Sequence, residues 1–196
     1  MTERQTRAYR KRRRAELEQR TRERIIDAAV DLHGSVGPAR TTVSGVAARA
    51  GVQRATVYRH FPDDESLFAA CSAHWLERNA PPALAAWAAV RDPDTRLELG
   101  LGELYAWFGR TEQMIELLTR DVELVPSMRT QFAMFGRYFD AAADTLLRGR
   151  RERGAARRRV RAVVGHAVAF ETWRSLVRRE GLTPAQAIDL VRAMVS

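Results

Sequence analysis

The chain has 196 residues, is 45% hydrophobic, and carries 33 Lys and Arg against 24 Asp and Glu, a net charge of +9. That length and apolar content suffice for one or two domains with a buried core, and no run of about 18 apolar residues is present to span a membrane. The charged N-terminus lacks the apolar stretch of a secretory signal, and the single cysteine, Cys71, forms no internal disulfide, so a cytoplasmic location is expected.

Residues 1–20 read as a basic extension, disordered at its start and passing into helix near Ala15-Glu16-Leu17-Glu18. The segment 1–24 is net +6, 40–60 is net +4 with no acid, and 148–161 is net +7, which leaves the remainder at −8. An acidic body with a basic end favours binding a polyanion by a defined surface.

A first core helix is predicted over about 21–35, with Ile25, Ala28, Ala29 and Leu32 on one stripe and Gly34, Gly37 and Pro38 ending it. Next comes TTVSGVAARAGVQRATVYRHFPDDESLF, residues 41–68. Its first short helix puts Val43, Val46, Ala47 and Ala50 on one face, with Thr42 as N-cap. Gly51 stands where a chain leaving a helix needs positive φ. The second helix buries Val57 and exposes Gln53, Arg54, Thr56, Tyr58, Arg59 and His60, a face of donors, amides and a phenol without an acid. Such a face suits the major groove of DNA, and the pair reads as a helix-turn-helix whose second helix is the reader.

The pattern Ile25-Ile26-Asp27-Ala28-Ala29-Val30-Asp31-Leu32, Gly37, Thr41-Thr42, Val46-Ala47, Ala50-Gly51-Val52, Thr56-Val57-Tyr58, His60-Phe61-Pro62 and Glu65-Ser66-Leu67-Phe68 resembles the TetR/AcrR family of bacterial transcriptional regulators. The resemblance covers about 45 residues; beyond them the chain is similar only in length and helical content. It implies an all-α fold, with a three-helix DNA-binding head and a larger helical body for ligand binding and dimerisation. The domains expected are a basic extension at 1–20, the head at 21–66 and the body at 67–196. The resemblance assigns Thr42, Tyr58 and His60 mostly to phosphates. Arg54 and Arg59 are the candidates for base edges, because a guanidinium fork matches guanine O6 and N7. Thr56 offers a hydroxyl and a methyl, and Gln53 stands where a capping Ser or Thr is usual. Asp64 replaces a frequent Lys, so no phosphate contact is carried over there.

The basic arm (Arg4, Arg7, Arg10, Lys11, Arg12, Arg13 and Arg14) has two readings: contact with the minor groove or with phosphates beside the operator, or a solvated tail that raises non-specific affinity. The Arg148–Arg161 run reads as a solvated interhelical loop. A further helix from Pro62-Asp63 to about Asn79 would link head to body, followed by helices at about 83–90, 93–110, 112–123, 126–149, 155–180 and 184–195.

The body is rich in aromatic residues, most of them expected in an ordinary core. The resemblance implies that part of this interior is a small-molecule pocket, for which Trp75, Trp107, Phe108, Phe135, Phe139, His166, Phe170 and Glu171 are candidates. Glu103 and Asp121 are further possible anchors, and the expected ligand is mostly apolar. Apolar stripes on the last two helices (Val160, Val163, Val164, Ala167, Val168, Phe170; Ile188, Val191, Met194, Val195) pack either within one chain or, as in the family, against a second copy. No catalytic constellation, metal-ligand spacing or phosphate loop is visible, so neither enzyme activity nor a cofactor or metal is expected. The expected function is a homodimeric repressor, released from a palindromic double-stranded DNA operator by a small-molecule effector. The rival readings are an architectural DNA-binding protein with weak sequence preference and, further off, a small-molecule enzyme.

Overall fold

A computed structural model describes residues 3–195, and every regular element among them is a helix. None of these helices is long and apolar enough to cross a membrane. The chain divides into two compact units: residues up to Arg78 together with Glu116–Arg129, and Asn79–Ile115 together with the rest.

The first unit is built on α1 (Glu3–Ser35), α2 (Val43–Ala50), α3 (Arg54–His60) and α4 (Asp64–Arg78). Its core joins Ile25, Ile26, Ala28 and Ala29 of α1 to Val46, Ala47 and Ala50 of α2, Val57 and Phe61 around α3, and Leu67 and Cys71 of α4. Two contacts clamp the outside: an ion pair from Arg49 to Asp31 at 2.9 Å, and a hydrogen bond between His74 Nε2 and Asp27 Oδ1 at 2.8 Å. Cys71 is buried with its thiol towards the Ile26 carbonyl, and burial pushes its pKa up to about 12, so the thiol is inert. His33 fills an aromatic core position, its ring 5.4 Å from that of Phe68; desolvation holds its pKa at about 4, which keeps the ring neutral.

The arm differs from the sequence expectation: α1 is helical from Glu3, well ahead of Ala15. No Gly or Pro occurs before Gly34. A helix already nucleated by the packed segment extends backwards at little cost. Arg12–Glu16 at 3.0 Å, Arg14–Glu18 at 3.8 Å and Gln19–Glu23 at 2.8 Å support it at the i,i+4 spacing.

The second unit contains α5 (Leu84–Ala88), most of α6 (Pro93–Asp121), α7 (Arg129–Leu147), α8 (Gly154–Ala167), α9 (Phe170–Trp173) and α10 (Pro184–Val195). The helices expected at 93–110 and 112–123 are one. Thr111 at the expected boundary turns its hydroxyl back onto the Trp107 carbonyl at 2.7 Å and is buried. Gly100, inside this helix, lets Leu146 and Trp87 press onto the backbone: a Cβ there would lie 2.5 Å from Leu146 Cδ2. The helix expected at 155–180 is interrupted. It stops at Ala167, turns through an extended Ala169 (φ −78°, ψ 140°), restarts as α9 and widens into a π turn over Arg174–Arg179.

The basic run is not wholly solvated. Arg150 is largely buried and pairs with Asp94 at 2.8 Å and Glu152 at 3.5 Å. Beside it, buried Arg96 donates to the Val90 carbonyl at 2.6 Å and to the Arg148 carbonyl, closing the C-terminal end of α7. The apolar stripes of α8 and α10 are mostly buried within the chain: Val160, Val164, Ala167, Val168, Ile188, Val191 and Val195. Leu190 and Met194 remain exposed, as do Ala162 and Gly165 on α8.

Candidate nucleic-acid interface and body interior

The helix-turn-helix is assembled by local chemistry. Thr42 takes an extended conformation (φ −112°, ψ 151°), and its hydroxyl accepts the Gly45 N–H at 3.0 Å. A Cβ on residue 45 would lie 3.3 Å from that same oxygen, so Gly45 leaves room for the cap. Gly51 adopts the left-handed conformation (φ 65°, ψ 41°), and the next residue, Val52, donates to the Ala47 carbonyl at 3.0 Å, closing α2 and turning the chain into α3. Gln53 starts α3 through its main-chain carbonyl, which accepts from Thr56 at 2.9 Å; its side chain makes no capping bond.

Val57 and Phe61 pin α3 to the core, leaving Gln53, Arg54, Ala55, Tyr58 and Arg59 exposed and Thr56 and His60 half-buried. Six of the seven sequence-predicted residues therefore lie on α3 or at its start, and the seventh, Thr42, caps α2. His60 differs from the others in orientation, since its Nε2 is buried without a partner. Desolvation first, then neighbouring Arg59, lowers its pKa. Arg22 of α1 lies over the Phe61 ring at 4.9 Å, so α1 passes the C-terminal end of α3. The arm residues Arg7, Arg10, Lys11, Arg12, Arg13 and Arg14 are all exposed on the helix that continues from there; the side chain of Arg4 lies outside the described residues.

Sequence reasoning missed one feature of this unit. Asp121, considered above as a body anchor, belongs to the head's unit and is buried. Its Oδ2 accepts the Ala39 N–H at 2.9 Å in the short 3-10 turn Pro38–Arg40 that precedes α2. Arg120 binds the same carboxylate through Nε at 2.7 Å and donates through Nη2 to the Val36 carbonyl at 3.0 Å. Hydrogen bonding to Arg120 is the first cause that holds the Asp121 carboxyl below the usual range. Gly37 (φ 93°, ψ 158°) lies directly beneath this pair, in a conformation that only glycine adopts easily.

In the second unit, Phe108 is the hub of an aromatic cluster. Its ring centroid lies 5.5 Å from Trp107, 6.0 Å from Phe139, 5.4 Å from Phe170 and 5.9 Å from Trp173. Of the pocket candidates, the structure thus gathers Trp107, Phe108, Phe139 and Phe170. Phe135 is half-buried on α7, and Trp75 lies on α4 in the head's unit. His166 and Glu171 are exposed, because the interruption after Ala167 shifts the helical register and takes Glu171 off the buried stripe. Glu103 accepts the Trp87 indole N–H at 2.7 Å.

Residues 25–71 match the family model for bacterial regulatory proteins of the tetR family. Over these residues the chain is similar to the head of tetR-family regulators. The fold around it is shared with solved TetR-type structures. A TetR-like regulator from Rhodococcus sp. RHA1 has a TM-score of 0.62 at 20% identity, over 89% of this chain and 93% of that one. FadR from Bacillus subtilis, solved with stearoyl-CoA, has a TM-score of 0.57 at 19% identity, over 88% of this chain and 96% of that one. The multidrug binding protein EbrR, complexed with imidazole, has a TM-score of 0.56 at 24% identity, over 89% of each chain. No curated protein matches. The TetR-type head coincides with the geometry above: the matched segment runs from the start of the α1 core stripe to Cys71 on α4.

Proposed function

We propose that this protein is a cytoplasmic, homodimeric transcriptional repressor that binds a palindromic operator through α3 and leaves it when a small, mostly apolar molecule binds the body. The observation that carries the DNA-binding part is the acid-free exposed face of α3, set by the left-handed turn at Gly51. Arg54 and Arg59 read base edges, Thr56 contributes a hydroxyl and a methyl, and Gln53, with no capping bond to make, turns to the DNA. Thr42, Tyr58 and His60 contact phosphates and fix register. The helix-turn-helix contacts fall within 21–66, those of the basic extension within 1–20, and ligand binding and dimerisation within 67–196.

The arm joins this interface as a helix. An α-helix is about 10–12 Å across, whereas the minor groove is about 6 Å wide. Residues Arg7 and Arg10–Arg14 therefore bind phosphates along the backbone, outside the half-site. Their salt-sensitive, sequence-independent contribution adds to that of the reader helix.

Two further observations support the remaining parts. Ala162, Gly165, Leu190 and Met194 leave an apolar strip on α8 and α10 for a second copy, and an isologous dimer would present two reader helices to a two-fold site. The aromatic cluster around Phe108 suits the apolar part of an effector, and a neighbour of the same fold is solved with stearoyl-CoA, whose acyl chain is apolar and whose CoA part is charged. Release requires the ligand to favour the DNA-incompetent arrangement, since equal affinity for both arrangements shifts nothing.

The test is selection from a random DNA library at near-physiological salt. Two related half-sites in the recovered DNA are expected. Recovery without a shared motif would favour an architectural DNA-binding protein, the reading to which the exposed Arg-rich arm lends weight.

A further inference from the structure

The first unit holds a cavity of about 170 Å³, and every described residue that lines it belongs to that unit. Val46 of α2 and Leu67 and Phe68 of α4 form an apolar wall. His33 near the end of α1, Thr41 and Thr42 ahead of α2, and Asp64 at the start of α4 supply polar groups.

His33 is the residue that ordinary packing does not explain. It is 8% exposed and lies against Phe68, 5.4 Å between ring centroids. Among the described residues its ring makes no hydrogen bond, and desolvation alone lowers its pKa. A phenyl ring would fill the same place without the cost of about 1–3 kcal/mol for a desolvated, unpaired polar group. With its pKa at about 4 the imidazole is neutral at pH 7, so one of its nitrogens is an acceptor.

The other polar groups have the same sense. The Thr41 hydroxyl gives its proton to the Gly37 carbonyl at 2.9 Å, which leaves its oxygen able to accept. Asp64 adds a carboxylate, and no Lys or Arg is among the described residues around the cavity. The lining is therefore negative and rich in acceptors on one side and apolar on the other. A cavity of about 150 Å³ accommodates benzene, so this one has room for a single ring with a short polar substituent.

We propose that this cavity in the head is a binding site for a small organic cation that carries one aromatic ring and an ammonium group. The ring packs on Phe68, Val46 and Leu67, and the ammonium donates to His33, Thr41 and Asp64. The site is separate from the body interior and makes no use of the Phe108 cluster. Its occupant touches α2 beside the Thr42 cap and α4 at once, and so braces the frame that holds α3.

The test compares benzylammonium with benzyl alcohol, which are alike in size and differ in charge, on the full chain without DNA. Methyl resonances of Val43, Val46 and Leu67, which line the cavity, are followed by NMR. Benzylammonium is expected to shift them saturably, with a dissociation constant of about 1 mM. The alcohol should bind about threefold more weakly, since Asp64 is exposed and its attraction is screened. D64N should bind the two about equally, and H33F should weaken benzylammonium binding about fivefold. Methyl shifts that stay linear to about 20 mM, equal binding by the unsubstituted protein, a preference that survives in D64N, or undiminished binding by H33F would overturn the proposal. Because no DNA is present, the DNA selection described above succeeds or fails independently of this result.

Discussion

Replacing Asp121 by Ala should loosen the turn that enters the helix-turn-helix without touching any proposed DNA contact. The carboxylate accepts the Ala39 N–H at 2.9 Å and anchors Arg120, which in turn holds the Val36 carbonyl. A hydrogen bond to a charged acceptor is worth about 1.5–3 kcal/mol. The Arg120 side chain is 43% exposed, so its ion pair adds at most about 1 kcal/mol after solvent screening. Ala39 is itself on the surface, which lets water replace part of the missing bond, so the net effect expected is about 2 kcal/mol. Amide hydrogen exchange at Ala39 should then accelerate about 30-fold. Asp121→Asn keeps an acceptor oxygen and loses the charge, so about fivefold is expected. The Asp121 pKa is lowered in the folded protein, so its contribution is complete above the ordinary carboxylate range and fades as pH falls through the lowered native value. Protection at Ala39 should therefore be flat from about pH 5 to 8 and weaken below about pH 4 in the parent protein alone. An exchange rate within twofold of the parent in Asp121→Ala, or an Asn variant as damaged as the Ala variant, would refute the reasoning.

Arg54→Ala and Arg59→Ala should each weaken binding to the selected operator by about 1–3 kcal/mol, with little change on random DNA, measured by fluorescence anisotropy. Replacing Arg7, Arg10 and Lys11–Arg14 by Gln should preserve the selected motif and flatten the dependence of log affinity on log salt by about 0.9 for each phosphate no longer neutralised. His33→Phe should remove an acid sensitivity. The folded pKa of His33 is depressed to about 4 from 6.5, so the parent has this stability in full above pH 6.5 and loses it as pH falls towards 4. Urea unfolding at pH 7 and pH 5 should show a smaller difference for the Phe variant than for the parent.

The head was legible because its rules are local. Thr42 caps three residues ahead, Gly51 answers a turn that needs left-handed backbone, and the apolar spacing of α2 needs nothing distant. The early start of α1 is harder to read, because a run of Arg suggests an unstructured start, although the Glu16, Glu18 and Glu23 spacing that supports the helix is present in the sequence. In α6, the break expected between 110 and 112 does not occur, and Gly100 within the same helix is a site of close packing against Leu146 and Trp87. Asp121 could not be placed from sequence, since its partner Ala39 is 82 residues away. Nothing between Val160 and Trp173 announces the interruption after Ala167, which is closed by Tyr105 from another helix.

The continuity of α1 bears on how fast the protein finds its target. Residues 7–20 extend from the core stripe by about 20 Å at 1.5 Å per residue. A disordered arm would surrender conformational entropy on contact, whereas this one is already ordered. On the function proposed above, a helical cationic projection would enlarge the capture radius for a polyanion and act before α3 meets the DNA. Its signature is kinetic: ionic strength should change the association rate constant far more than the residence time on DNA.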